Sequence, residues 1–337
     1  MVAQDVRSLQ TSGNIRFLWL ELTNLCNLQC VHCYAESSPI RSNDDLLSPQ
    51  DYHNILSEAA ELGCTQVQFI GGEPTLNKHL PKFIAHARAL GYEFVEVFTN
   101  LTHLPSKLLN CFIEYNVHVA TSVYSHLPSV HDQITQKSGS FRQTMQNIDT
   151  VLSAGLPLRA GVIIMPINED HVDATIAFLR AKGVEDVNVD RVRDFGRAST
   201  EASSPSLENL CGKCADSTLC VAPDGAVSPC IMSKAWSVGS ILHTPLAEVV
   251  QSSRLRDLRQ QIHTHVVAPR TRSQPQSNIN YELNSSSEYY PIGAPATMAC
   301  VPEIMPPCGP QVLPKPPCVP QLAPQPCVPQ LVRGRFA

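Results

Sequence analysis

Six times between residues 15 and 189 the chain alternates a short apolar run, rich in β-branched and aromatic side chains, with a more polar stretch. The strand-like runs are residues 15–22, 67–70, 94–99, 117–123, 158–164 and 184–189. Helical spacing marks residues 80–90, 105–111, 141–154 and 170–182, and an earlier helix is opened by Ser48 as cap with Pro49 in its first turn and stopped by Gly63. Strands that alternate with helices through short links form a parallel sheet with helices outside it. A closed eight-stranded barrel takes about 250 residues. The expected fold is therefore α/β, an open, partial (β/α)6 TIM-like barrel over residues 15–198. In such folds ligand-binding groups collect where strands end. Thr99, Asn100, Thr121, Ser122, Tyr124, Arg159 and Arg191 to Arg193 are the polar residues expected there.

The first strand runs straight into Cys26, Cys30 and Cys33. Cysteine is readily buried, but three thiols this close can also converge on one soft metal centre. A structural zinc site needs four ligands, and His32 would complete that set. Neighbouring side chains in so short a loop rarely all point inward. Three thiolates on a four-iron cluster leave one iron open, a place for chemistry. The second strand ends in Gly71-Gly72-Glu73-Pro74, either a tight turn or a cradle in which backbone approaches a ligand closely.

Cys26-x3-Cys30-x2-Cys33 with Tyr34 beside it, followed by Gly71-Gly72-Glu73-Pro74 at the second strand, resembles the radical S-adenosylmethionine (SAM) enzymes. The resemblance implies that Cys26, Cys30 and Cys33 hold a 4Fe-4S cluster whose open iron is chelated by SAM. Gly71, Gly72, Glu73 and Pro74 would lie against the SAM amino group. Asn100 and Ser122 correspond to the family's polar residues at strand ends three and four, and Arg191 is a further candidate for cofactor contact. Each of these can equally be an ordinary strand cap or loop residue. The run from His131-Asp132 to Gly139-Ser140-Phe141, and Gly196-Arg197-Ala198, also resemble family segments. The arginines after the sixth strand would bind an acid or lie in a solvated loop.

A second group follows: Cys211-x2-Cys214-x5-Cys220-x9-Cys230, with Asp224-Gly225 as the turn of a hairpin. Four thiols at these spacings would suit zinc. The pattern also resembles the SPASM or twitch extension of radical SAM peptide maturases, which implies one auxiliary iron-sulphur cluster on Cys211, Cys214, Cys220 and Cys230. The closely spaced second cysteine set of the full extension does not follow. This module is expected over residues 207–265, after an N-terminal extension (1–14) and the barrel. An irregular tail (266–337) comes next, where Cys300, Cys308, Cys318 and Cys327 each begin a Cys-x-Pro unit. Such proline density opposes helices and central strands.

Thirteen cysteines, an odd number in a chain of 337 residues, argue against a secreted disulfide scaffold. Cys64 and Cys111 stand alone in apolar surroundings and read as core; an epimerisation would need a thiol such as one of these as hydrogen donor. A net charge of -5 gives no reason to expect nucleic-acid binding, and the sequence carries neither a bilayer-spanning run nor an apolar leader. A cytoplasmic enzyme is expected. The resemblance implies a 5'-deoxyadenosyl radical that abstracts hydrogen from a precursor peptide, in crosslinking or another maturation step. Flavodoxin or ferredoxin would supply electrons and a separate protein would bind the leader. Alternatives are an activase or maturase of a protein, a small-molecule cofactor-synthesis enzyme, and a non-catalytic metal-binding scaffold.

Overall fold

The computed structural model describes residues 15–40, 45–199 and 205–272. Its centre is β1 (Phe17–Glu21), five residues buried without exception. Such a strand shows no polar–apolar alternation because both of its faces are covered. β2 (Gln66–Ile70), β3 (Phe94–Phe98), β4 (His118–Ser122), β5 (Leu158–Ile164) and β6 (Asp186–Arg191) follow in parallel order on one side of it.

Between the strands run α1 (Pro49–Glu61), α2 (Leu80–Ala89), α3 (Ser106–Glu114), α4 (Pro128–Thr135), α5 (Ser140–Ser153) and α6 (Val172–Ala181). Ser48 and Asp51 close a capping box at the start of α1, which buries Tyr52, Ile55, Leu56 and Ala59. Sequence reasoning did not anticipate α4. It is short and opens on Pro128, and its C-cap Gln136 is left-handed. Asp132 on α4 accepts from the Gly139 and Phe141 amides (2.6 and 2.8 Å) and from the Ser140 hydroxyl (2.9 Å), tying α4 to the start of α5. The His-Asp segment is thus a helix junction.

The other side of β1 carries the largest departure from expectation. The cysteine-rich hairpin does not stand apart from the barrel. Its first strand, β7 (Thr218–Val221), pairs in parallel with β1, bringing Cys220 opposite Trp19. β8 (Ala226–Ser228) and β9 (Gly239–Ser240) extend the sheet antiparallel, giving the order β6-β5-β4-β3-β2-β1-β7-β8-β9. Distance along the chain hides this pairing, since about 200 residues separate the partner strands.

The chain then forms α7 (Leu246–Gln251) and α8 (Ser253–Ile262), divided at Ser252, which caps α8. A π-helical turn and α9 (Ala268–Arg272) carry helix beyond residue 265, where the module was expected to end. The expected extension at 1–14 and the four Cys-x-Pro units lie outside the described residues. No helix among the described residues is long and apolar enough to cross a membrane.

Within the parallel sheet, Val67 and Phe69 face the helices while Gln68, between them, faces the opposite way. Gln68 donates to Glu96, and the Arg159 guanidinium grips both Glu96 oxygens at 2.7 Å. This is a fully buried, bidentate pair. Arg159 is the second residue of β5, so it stands near the strand's start and not at its ligand-binding end.

Candidate active site

The loop leaving β1 folds back on itself. Cys26 donates its amide to Ser38 (3.1 Å), Leu25 bridges Ser38, and Cys33 donates to the Cys30 carbonyl (3.2 Å). The Gly71–Gly72 turn at the end of β2 presses onto this loop. Gly71 has φ +127°, and a Cβ there would lie 2.7 Å from the Thr23 carbonyl oxygen. A Cβ on Gly72 would lie 2.2 Å from that of Leu25. Only glycine fits either place. The same backbone segments are joined by bonds from Gly72 N to Thr23 O (2.7 Å) and Glu73 N to Leu25 O (2.9 Å).

Above them opens a cavity of about 190 Å³. Cys26, Cys30 and Cys33 line it together with Gly71, Gly72, Asn100, Ser122 and Arg191. Three further thiols, Cys211, Cys214 and Cys230, line the same cavity. Leu28, Ile70, Phe98, Ile163 and Met232 give it apolar walls.

Some expected residues stand elsewhere. Glu73 is 1% exposed and does not border the cavity. Its carboxylate accepts from the Thr99 hydroxyl (2.6 Å), the Asn100 amide (2.8 Å) and the Thr75 hydroxyl (2.7 Å). It ties the end of β3 to the glycine turn from behind. Pro74 is buried and starts a single 3-10 turn. Cys220 is fully buried on β7 and also misses the cavity. Its register partner on β1 is Trp19, which does line the cavity, and its neighbours include Glu21, Lys234, Cys230 and Ser228. Cys64 and Cys111 do not line it either; the Cys64 thiol bonds the Arg16 and Gln66 carbonyls at the opposite ends of β1 and β2.

The thiols are held by neighbours that spacing alone did not reveal. Asn100 Nδ2 donates to Asn27 (2.8 Å) and lies 3.8 Å from the Cys26 sulphur. The Tyr124 phenol shares hydrogen bonds with the Cys30 thiol and Ser122. Arg197, assigned by sequence to an acid site or a solvated loop, instead clamps the cysteine loop. Its Nε donates to Cys30 O (2.8 Å), its Nη2 to Ser37 O (2.9 Å), and its amide to Cys33 O (3.0 Å). Gly196 makes this approach possible, for a Cβ there would meet the Cys33 and Tyr34 carbonyl oxygens at 2.4 Å. Arg193 pairs with Asp190 at 2.5 Å and hydrogen-bonds Cys211, whereas Arg191 is largely exposed and pairs with Glu169.

Burial pushes the Cys26 and Cys30 thiols up to about 12, reinforced by Glu73 at Cys26 and by Cys33 at Cys30. Cys214 and Cys230 share a hydrogen bond that raises the first and lowers the second to about 7. Burial pushes His32 and His131 down to about 4. No group of three His, Cys, Asp or Glu side chains among the described residues is gathered for a single metal ion. Yet each cysteine set presents three soft donors to one cavity, which Gly71 and Gly72 border without side chains. That chemistry fits iron-sulphur clusters and a bound cofactor.

Residues 20–179 match the radical SAM superfamily and residues 211–272 an iron-sulfur cluster-binding domain, SPASM. The chain thus carries a radical SAM domain followed by a SPASM extension. It is 32% identical over 196 residues to a PqqA peptide cyclase of Xanthomonas campestris pv. campestris, covering 57% of this chain and 51% of that one. A GTP 3',8-cyclase of Hydrogenovibrio crunogenus is 28% identical over 176 residues, 51% of this chain and 53% of that one. The chain spans about half the length of these curated relatives. Streptococcus suis SuiB bound to the precursor peptide SuiA shares the fold, with TM-score 0.62, 13% identity and coverage of 75% of this chain and 69% of that one.

His131 yields a pH test. Its Nδ1 accepts from the Tyr124 amide (3.3 Å), so the folded protein favours the neutral ring. Its folded value of about 4 lies below the ordinary 6.5, so unfolding takes up a proton. The stability it contributes is complete above pH 6.5 and is lost as pH falls towards 4. Urea melts across that window are expected to show a shallower decline for His131→Asn than for the wild type, by up to about 1.4 kcal/mol per pH unit. Parallel declines would show that His131 is not held neutral.

Proposed function

We propose that this protein is a radical SAM enzyme that abstracts hydrogen from a peptide, in oxidative crosslinking or another maturation step of a ribosomally made precursor. The observation that carries the reading is the meeting of Cys26, Cys30, Cys33 and the Gly71–Gly72 cradle on one cavity, with a second thiol set on its opposite flank of sequence. The peptide assignment draws support from the PqqA peptide cyclase similarity and from the SuiB fold, whose structure includes a precursor peptide.

In this reading Cys26, Cys30 and Cys33 hold a 4Fe-4S cluster, and Gly71, Gly72, Asn100, Ser122 and Arg191 border the SAM site. When bound there, a reduced cluster with SAM would supply hydrogen-atom abstraction at this cavity. The work of the chain is placement and exclusion. Arg197 and the Asn27–Asn100 pair hold the loop carbonyls and side chains in register. Glu73 fixes Asn100 without entering the cavity. The apolar walls keep water from a reactive substrate carbon. Because the folded chain favours the protonated thiols of Cys26 and Cys30, their protons leave as iron binds.

Cys211, Cys214 and Cys230 are the proposed protein ligands of one auxiliary cluster. Cys220, the fourth thiol by spacing, does not border the cavity and is left out of the proposed set. An electron donor of the flavodoxin or ferredoxin class, and a separate leader-binding protein, complete the proposed system.

Anaerobic reconstitution tests the reading. Cys30→Ala is expected to lose about four iron atoms per chain and all 5'-deoxyadenosine formation, while the wild type removes two hydrogens from a susceptible peptide by mass spectrometry. Normal turnover in the variant would refute the first-cluster assignment. Cys214→Ala is expected to lose the auxiliary iron and Cys220→Ala to retain it. Equal loss in both variants would return Cys220 to the ligand set.

A further inference from the structure

The two cysteine sets share a cavity but ride on segments far apart in the chain. One buried carboxylate joins those segments behind the cavity wall. Glu21 closes β1 and is fully buried. One of its oxygens accepts from the Tyr34 hydroxyl at 3.1 Å, and the other lies 2.6 Å from Lys234 Nζ. Tyr34 is the neighbour of Cys33; Lys234 lies in the short 3-10 turn that follows Cys230.

The Lys234 ammonium also stands 5.6 Å from the centroid of the Tyr34 ring. The three side chains therefore close a triangle, each touching both others. Tyr52, from α1, donates to the Glu21 carbonyl at 3.0 Å and anchors the end of the strand. Ser233, beside Lys234, bonds both the amide and the carbonyl of Cys230 at 2.9 Å, so a shift of Lys234 is passed to that cysteine.

A buried ion pair is weak evidence for stability, because an apolar pair of similar volume serves as well. The contacts of the pair bear instead on where its partners stand. A carboxylate with a hydroxyl bonded to one oxygen and an ammonium at ion-pair distance from the other ties both partners to the end of β1.

We propose that Tyr34, Glu21 and Lys234 are positioning residues, an ionic strut centred on a buried carboxylate with a half-buried lysine, that sets where Cys33 and Cys230 stand relative to one another across the cavity. The proposal deepens the functional reading above, since it makes the strut the element that fixes how two clusters face a common substrate. Its geometry does not depend on that reading.

Hydrogen exchange on the full, metal-free chain is the first test. In Lys234→Met, amides of residues 30–36 and 230–236 are expected to exchange together, at least about tenfold faster than in the wild type. The double variant Glu21→Leu with Lys234→Met removes the unpaired buried charge. It is expected to melt like the wild type while both loops still exchange fast. Wild-type protection of both loops in the double variant, or acceleration of residues 230–236 alone in Lys234→Met, overturns the strut.

The second test is spectroscopic. After anaerobic reconstitution and reduction, the magnetic coupling between the two clusters is expected to broaden in Lys234→Met and to be restored in Lys234→Arg. Identical coupling in wild type and Lys234→Met overturns the proposal. A wild-type protein that takes up no cluster at the first site contradicts the functional reading instead, and the exchange experiment still decides the strut.

Discussion

The contact on which the site depends is the one between the glycine turn after β2 and the backbone of the cysteine loop after β1. Two adjacent strands are joined beyond the end of their ladder, at a separation that leaves no space for a Cβ on Gly72. That closeness turns the loop over the strand ends and brings Cys26, Cys30 and Cys33 to one wall. Glu73 extends the same seam to β3 by capturing Thr99 and the Asn100 amide. A side chain on either glycine would have to separate the two segments, and every later feature of the cavity is built on their contact.

Parts of the chain made much later complete the enclosure. Gly196 and Arg197 return from the end of β6 to cap the carbonyls of Cys30 and Cys33, drawing the far edge of the sheet towards the first strand. β7 adds to the free side of β1, so the second cysteine group enters on the sheet itself and not on a flexible arm. β1 is thereby flanked on both sides, which accounts for its complete burial. Loops and turns tied to β1, β7 and β8 therefore carry both thiol sets, and their hydrogen bonds to the sheet hold them in place.

Much of this was legible in the sequence because it is local. Apolar runs separated by helical spacing gave the six parallel strands and their order, and the Ser48-Pro49-Asp51 cap marked the first helix. Cys26, Cys30, Cys33, Gly71 and Gly72 could be picked out because residue type and spacing alone bear on their role. What escaped was set by facing and by distance. Spacing made Cys220 equivalent to Cys214 and Cys230, but on β7 it is fully buried and does not border the cavity. Glu73 looked like a cofactor contact and is a brace, because its carboxylate is consumed by Thr99, Thr75 and Asn100. Arg159 was placed at the wrong end of β5; its partner Glu96 sits two strands away, on β3, and is invisible in sequence. Arg197 carried a signal, a glycine before an arginine after the last strand. Its partners, though, are carbonyls more than 150 residues earlier.

The central claim is that three thiols beside the Gly71–Gly72 cradle hold a cluster with one iron left for SAM. Electron paramagnetic resonance of the anaerobically reconstituted, reduced protein, recorded before and after adding SAM, tests it most directly. The account predicts a cluster signal whose line shape changes when SAM is added. A signal indifferent to SAM, or zinc bound at those thiols in place of iron, would contradict it.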